Sequence, residues 1–198
     1  YHISLRYTIV IAVLVVVGMV LSRLRVPRQV QANEAMVLTA SLFLFAPLVM
    51  TYPMMSGGLG FLDALFEAVS GATTTGLSTL PSVKGAPSTF LFARAWMQWY
   101  GGLGIVVLSL ALLVRPGVAA KSLSVTETRE EDLVGSTKAY ARRVLVIYLV
   151  LTGCGVVLLG LLGARPFHAL VYTLAAVSTG GFAPHDASLA GLGGWPME

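Results

Sequence analysis

The chain has 198 residues, 56% of them hydrophobic and 11% charged, with a formal net charge of +4 at pH 7. An ordinary soluble domain carries roughly 25% charged residues, so the composition argues against a water-soluble globular enzyme, and nothing in the charge points to nucleic acid as a partner. Stretches without a charged side chain run over residues 7–22, 35–62, 95–114, 144–164 and 166–185, and a bilayer span needs about 20 apolar residues. The chain reads as an integral membrane protein.

The 21 Gly and 9 Pro fit that class, because breakers are tolerated in membrane helices where protein or water satisfies the freed backbone groups. The single cysteine, Cys154, leaves no disulfide framework. Of the 13 Lys and Arg, three (Arg23, Arg25, Arg28) follow the first apolar stretch and six (Arg115, Lys121, Arg129, Lys138, Arg142, Arg143) lie between residues 115 and 143. Basic loops face the cytoplasm, which requires an even number of crossings between these two. Three apolar pieces lie there, at about 33–52, 60–80 and 95–114. One of them is therefore predicted not to cross.

The middle piece, FLDALFEAVSGATTTGLSTLPSVKG, starts as a short helix and turns rich in Thr, Ser and Gly before Pro81. Thr is stiff at χ1 and Gly loses the most entropy, so Thr73-Thr74-Thr75-Gly76 is a poor continuation of a helix. It reads as a re-entrant loop, and irregular backbone at membrane depth is permitted only where it faces protein or a water-filled cavity. The plan recurs in ARPFHALVYTLAAVSTGGFAPHDA. Laid over one another at a gapless offset of 105 residues, Thr74 meets Thr179, Thr75 meets Gly180, Gly76 meets Gly181 and Leu77 meets Phe182. An internal repeat that carries a broken segment at matching positions points to a membrane transport site.

The predicted order is a span over 3–22, a span over 33–52, a pore helix over 61–71, a filter over 72–79 and a span over 94–114. A cytoplasmic segment over 115–139, a span over 140–163, a pore helix over 166–176 and a filter over 177–184 follow. The organisation is an all-α membrane protein: an extra helix and basic loop (1–32), a first membrane-pore-membrane repeat (33–114), a connection (115–139) and a second, incomplete repeat (140–198). The chain opens on Tyr1 and ends after a Gly-rich stretch, so it is expected to be part of a longer polypeptide.

A dehydrated monovalent cation needs as many oxygens as it sheds waters, and rings of backbone carbonyls supply them. Thr-Thr-Thr-Gly offers such a ladder, with hydroxyls as further oxygens. No Asp or Glu lies within residues 68–83 or 166–185, which disfavours ligation by carboxylate and suits potassium, although sodium also accepts carbonyl oxygens. A helix aimed C-terminal end first at the ion adds partial negative charge, so the expected cargo is a cation.

At these residues the chain resembles the TrkH/KtrB potassium uptake transporters, whose subunits fold as four linked membrane-pore-membrane repeats. SGATTTGLST looks like the first filter, RAWMQWYGGLGIVVLSLAL like the long helix after it, and FHALVYTLAAVSTGGFAPHDASL like the second pore helix and filter. The resemblance implies that Thr74, Thr75, Thr179 and Gly180 offer the ion-coordinating carbonyls, that Gly76 and Gly181 are the filter glycines, and that Thr73, Leu77, Ser178 and Phe182 flank them. It implies potassium as the transported ion with no organic cofactor, and a full-length homodimer in the cytoplasmic (inner) membrane with outward-facing filters. It also implies a nucleotide-binding regulatory subunit on the cytoplasmic face. Only two of four filter segments are present.

Glu67, expensive at membrane depth, is expected either to pair behind the filter, with Arg94 as a partner, or to attract cations. Asp63 reads as a helix-start residue and Gly101-Gly102-Leu103-Gly104 as a close-packing stripe or a hinge. His168 reads as interfacial, and His185-Asp186 as solvated or cation-attracting. Ser124 with Glu127, and Thr128 with Glu131, match a capping box. Other classes are a secondary transporter with a broken-helix solute site, an intramembrane hydrolase using Ser70 or Ser178 with His168, and a non-conducting assembly subunit.

Overall fold

The computed structural model describes residues 2–24, 32–113 and 129–192. Six α-helices follow one another among them: α1 (His2–Leu21), α2 (Ala32–Met54), α3 (Phe61–Ala72), α4 (Ser88–Leu113), α5 (Arg129–Leu161) and α6 (Pro166–Val177). Short 3-10 turns lie at Met55–Gly57 and Ser188–Leu192. No strand occurs among the described residues. Arg25, Arg28, Arg115 and Lys121, and the capping pairs that begin at Ser124 and Thr128, fall outside them.

Length sorts the helices. Val37–Gly57 and Arg142–Leu161 are long and apolar enough to cross a bilayer, with mean hydropathies of 1.7 and 2.6, and only 6% of the second is buried inside the protein. A core helix of a soluble protein would be covered; this one shows its Val, Leu and Ile side chains outward. The apolar part of α1, Leu5–Leu21, lies at the lower end of the length a span requires. Helices α3 and α6 have 12 residues each, about 18 Å at 1.5 Å per residue, against a hydrocarbon core of about 30 Å. Neither is long enough to cross.

Two ends differ from the sequence expectation. Helix α4 starts at Ser88, six residues before the expected 94, because Pro87 opens it: the Pro87 carbonyl accepts from the amides of Phe90 at 2.9 Å and Leu91 at 3.1 Å. As the residue ahead of the first helical position, proline removes no N–H that the helix ladder needs. Helix α5, described from Arg129, already runs through the last part of the stretch assigned to the 115–139 connection.

Helix α4 is the spine. Two buried clusters share it: one joins Met54, Ala64, Ala68, Phe90 and Met97 from α2, α3 and α4. The other joins Ala95, Trp99, Tyr148, Val171 and Leu174 from α4, α5 and α6. Trp96 stacks on Trp99 with centroids 5.1 Å apart, and Trp99 meets Tyr148 at 5.3 Å. The Gly pair continues that closeness, since an added Cβ on Gly101 would overlap the Ala72 carbonyl and one on Gly102 would lie 3.0 Å from Ser178 Cβ. The two short helices thus end against adjacent residues of α4.

Candidate functional site

The two Thr/Gly segments begin where α3 and α6 end. Helices Phe61–Ala72 and Pro166–Val177 stand 105 residues apart at both ends, and the backbone after them repeats residue for residue. Thr73 (φ −89°, ψ 3°) corresponds to Ser178 (φ −85°, ψ −3°). Thr74 has φ 57° and Thr179 φ 55°; Gly76 has φ 75° and Gly181 φ 81°. The amide of Thr75 donates to Ser70 O and that of Gly180 to Ala175 O, both at 2.9 Å.

Positive φ is ordinary for Gly, but for a β-branched residue it is an outlier that costs about 1–3 kcal/mol and persists only where surroundings impose it. Apart from Ser188, the non-glycine residues with positive φ among those described are Thr74 and Thr179. Strain therefore sits at the same position of each segment. Gly76 is doubly constrained, because a Cβ there would also overlap the carbonyl oxygen of Gly180. Through that contact the two segments touch.

The supports behind the segments differ. In the first, Glu67 of α3 accepts from Ser78 Oγ at 2.5 Å and from the Thr79 amide at 2.8 Å through Oε1. Its Oε2 lies 2.9 Å from Arg94 Nε, with both side chains almost wholly buried. Arg94 also donates to Ser78 Oγ at 3.0 Å, and Ser70 Oγ donates to Leu77 O at 2.6 Å. Glu67 therefore has the pairing role behind the segment, with Arg94 as its partner. The Arg94 guanidinium also lies 3.9 Å from the ring centroid of Phe182 in the second segment.

In the second segment, the support comes from Gln98 of α4: Nε2 donates to Gly180 O, and Oε1 accepts from the Phe182 amide at 3.0 Å. Farther along, Tyr172 Oη pairs with His185 Nδ1 at 2.9 Å. Asp186 bridges back to the first segment's exit, accepting from Ser82 Oγ at 2.6 Å and from the Val83 amide at 2.7 Å. The Ser82 hydroxyl, then the Val83 amide, hold the Asp186 carboxyl below the usual carboxylate range. Asp186 is thus a loop tie rather than a freely solvated group.

Thr74 is half-buried and Thr75 and Thr179 are exposed, whereas Gly180 is buried with its carbonyl bonded to Gln98. Thr73 Oγ1 donates to Val69 O at 2.8 Å and shares a 2.7 Å bond with Thr75 Oγ1. Thr179 Oγ1 donates to Ser178 O at 2.7 Å. Leu77 is exposed, Phe182 and Ser178 are buried, and Gly181 is open to the surface. The hydroxyls of Ser70 and Ser178 are bonded to backbone carbonyls, while the His168 ring meets His185 at 4.6 Å. No hydrolase dyad is assembled among the described residues. Gln98 and the Asp186 tie were missed in the sequence, because their partners lie 82 to 104 positions away.

Residues 3–192 match the TrkH family, described as cation transport protein. An uncharacterized cation transporter of Methanocaldococcus jannaschii is 36% identical over 166 residues, covering 83% of this chain and 35% of that protein. The Trk system potassium uptake protein TrkH of Escherichia coli K12 is 36% identical over 138 residues, covering 68% and 29%. The crystal structure of the potassium transporter TrkH from Vibrio parahaemolyticus superposes with a TM-score of 0.73 at 25% identity, covering 94% of this chain and 38% of that one. The chain therefore spans about a third of the length of these relatives. Its helical architecture, its paired Thr/Gly segments and these matches lead to one assignment: the chain belongs to the TrkH family of cation transport proteins.

Proposed function

We propose that the chain is part of a Trk-type transporter that takes up potassium across the cytoplasmic membrane, and that residues 72–79 and 177–184 are two segments of its selectivity filter. One observation carries the reading: the same strained backbone, with Thr at φ 57° and 55°, recurs after two helices too short to span. Strain of about 1–3 kcal/mol at a β-branched residue is retained where it has a use, and here it shapes backbone that follows a helix C-terminal end. That end carries partial negative charge and favours a cation.

In this reading the carbonyls of Thr74, Thr75 and Thr179 replace part of the hydration shell of potassium. Gly180 contributes through the lone pair that Gln98 leaves free, since a carbonyl has two. Gly76 and Gly181 provide the turn, and Thr73, Leu77, Ser178 and Phe182 form the wall. Coordination by neutral oxygens lets the ion leave as readily as it enters. Residues 33–114 and 140–198 act as successive membrane-pore-membrane repeats, with α3 and α6 re-entrant and the filters open to the outside. The basic stretches 23–31 and 115–143 lie in the cytoplasm, where a nucleotide-binding regulatory subunit meets a homodimer of the full-length protein.

The test is uptake of rubidium into proteoliposomes holding the full-length protein, driven by an outward potassium gradient, with sodium as competitor. Saturable rubidium uptake that excess sodium leaves intact is expected. Uptake of an organic solute without cation selectivity would replace this reading with a solute transporter.

A further inference from the structure

We propose that Gln98 is a positioning residue for ion selectivity: its side-chain amide, carried on the first repeat's helix α4, sets the backbone path of the second filter. This rests on the filter reading above. The amide is fully buried, and it holds the chain on both sides of Gly181, through Gly180 O and the Phe182 N–H. One end donates and the other accepts, so the clamp reads chain direction. A flipped amide would set oxygen against oxygen and N–H against N–H.

The repeat explains why this support comes from outside. The first filter is held by its own pore helix, through Ser70 on Leu77 O and Glu67 on Ser78 and Thr79. At the offset of 105 residues those positions become Ala175, Tyr172, Ala183 and Pro184. Ala175 and Ala183 carry no hydroxyl, and Pro184 has no N–H to donate. The second filter lacks that scaffold, and α4 supplies a replacement.

Sequence spacing makes α4 able to do so. Arg94 and Gln98 stand four apart and so share a helix face; Arg94 supports the first filter through Ser78 and lies over Phe182 of the second. Gly101 and Gly102 bring that face against the ends of both pore helices. At Gly180 a Cβ would overlap the Gln98 amide, so the clamp also requires Gly at that position. The carbonyl of Gly180, bonded to Gln98, is fixed next to Gly76 of the other filter. One amide thereby sets the spacing between the two segments.

The experiment compares Gln98→Met, which keeps length and loses both bonds, with Gln98→Glu, which keeps the acceptor for Phe182 and turns a carboxylate on the Gly180 carbonyl. Rubidium and sodium uptake are measured separately in full-length protein in proteoliposomes, beside size-exclusion profiles. A fall of about tenfold in the rubidium-to-sodium ratio in both variants, with normal profiles, is expected because filter selectivity depends on how its carbonyls are held. A packing role alone would lower both fluxes together and leave the ratio unchanged, which overturns the proposal while the unaltered protein stays selective. An unaltered protein without selectivity overturns the filter reading as well. Should neither variant fold, hydrogen exchange at the Phe182 amide of the unaltered protein decides: slow exchange supports the clamp and fast exchange overturns it.

Discussion

Thr74 and Thr179, 105 residues apart, hold the same left-handed backbone, with φ 57° and 55°. Each follows a 12-residue helix and precedes by two residues a Gly with φ near 80°. A single strained Thr would be a local accident of packing; two at one repeat position tie the strain to the role of the segment.

Replacing either Thr by Gly separates strain from stability. Gly adopts positive φ freely but loses more entropy on folding, by roughly 0.5–1 kcal/mol, while the strain removed is about 1–2 kcal/mol. Thr74→Gly and Thr179→Gly are expected to leave thermal unfolding within about 1 kcal/mol of the unaltered protein. The rubidium preference should fall, because the segment no longer has a fixed shape. Intrinsic tryptophan fluorescence on heating, beside uptake, measures both.

The Glu67–Arg94 pair, 2.9 Å apart and almost fully buried, gives a second prediction. Removing one partner leaves an uncompensated buried charge, a loss of about 3–5 kcal/mol. Glu67→Gln and Arg94→Met are each expected to unfold at markedly lower temperature, whereas the double variant recovers part of the loss. A double-mutant cycle on thermal unfolding checks this.

Past the ends of the two segments, Asp186 accepts from Ser82 and from Val83, and its carboxyl is held below its ordinary value. A depressed carboxylate contributes fully above its unfolded pKa, about 3.9, and the contribution is lost as pH falls through the lower folded value. Hydrogen exchange at the Val83 amide is expected to be slow at neutral pH and to quicken, beyond the intrinsic pH effect, below about pH 4. Asp186→Ala should show the fast exchange at every pH.

Close approach at Gly101 predicts a packing defect. An added Cβ overlaps the Ala72 carbonyl, and overpacking of this kind costs about 1–3 kcal/mol. Gly101→Ala is expected to lower both stability and uptake, while Gly153→Ala, in mid-helix where a Cβ meets nothing within 4 Å, should leave uptake unchanged and raise stability by roughly 0.5–1 kcal/mol.

Much of this was legible because it is local or repeated. Helix lengths of 12 residues follow from where Thr, Ser and Gly interrupt the apolar pattern, and the offset of 105 survives because both segments need the same turn. A buried carboxylate asks for a cation, which made Arg94 a candidate for Glu67. What local pattern does not carry is a bond across the fold. Gln98 sits in an apolar, aromatic stretch with nothing to announce a partner 82 positions on, and Asp186 looks solvated until the chain folds Ser82 beside it. The early start of α4 was hidden because the expected span was bounded by the charge at Arg94, which turned out to be buried.

The most direct test of the proposed paired filter is Gly76→Ser in the full-length protein, read as the ratio of rubidium to sodium uptake in proteoliposomes. Gly76 combines φ 75° with a Cβ position overlapping Gly180 O, so a side chain there strains one segment and displaces the other. The ratio is expected to collapse while the protein still inserts and some cation flux remains. A Gly76→Ser protein that keeps the full rubidium preference would overturn the reading of these segments as one filter.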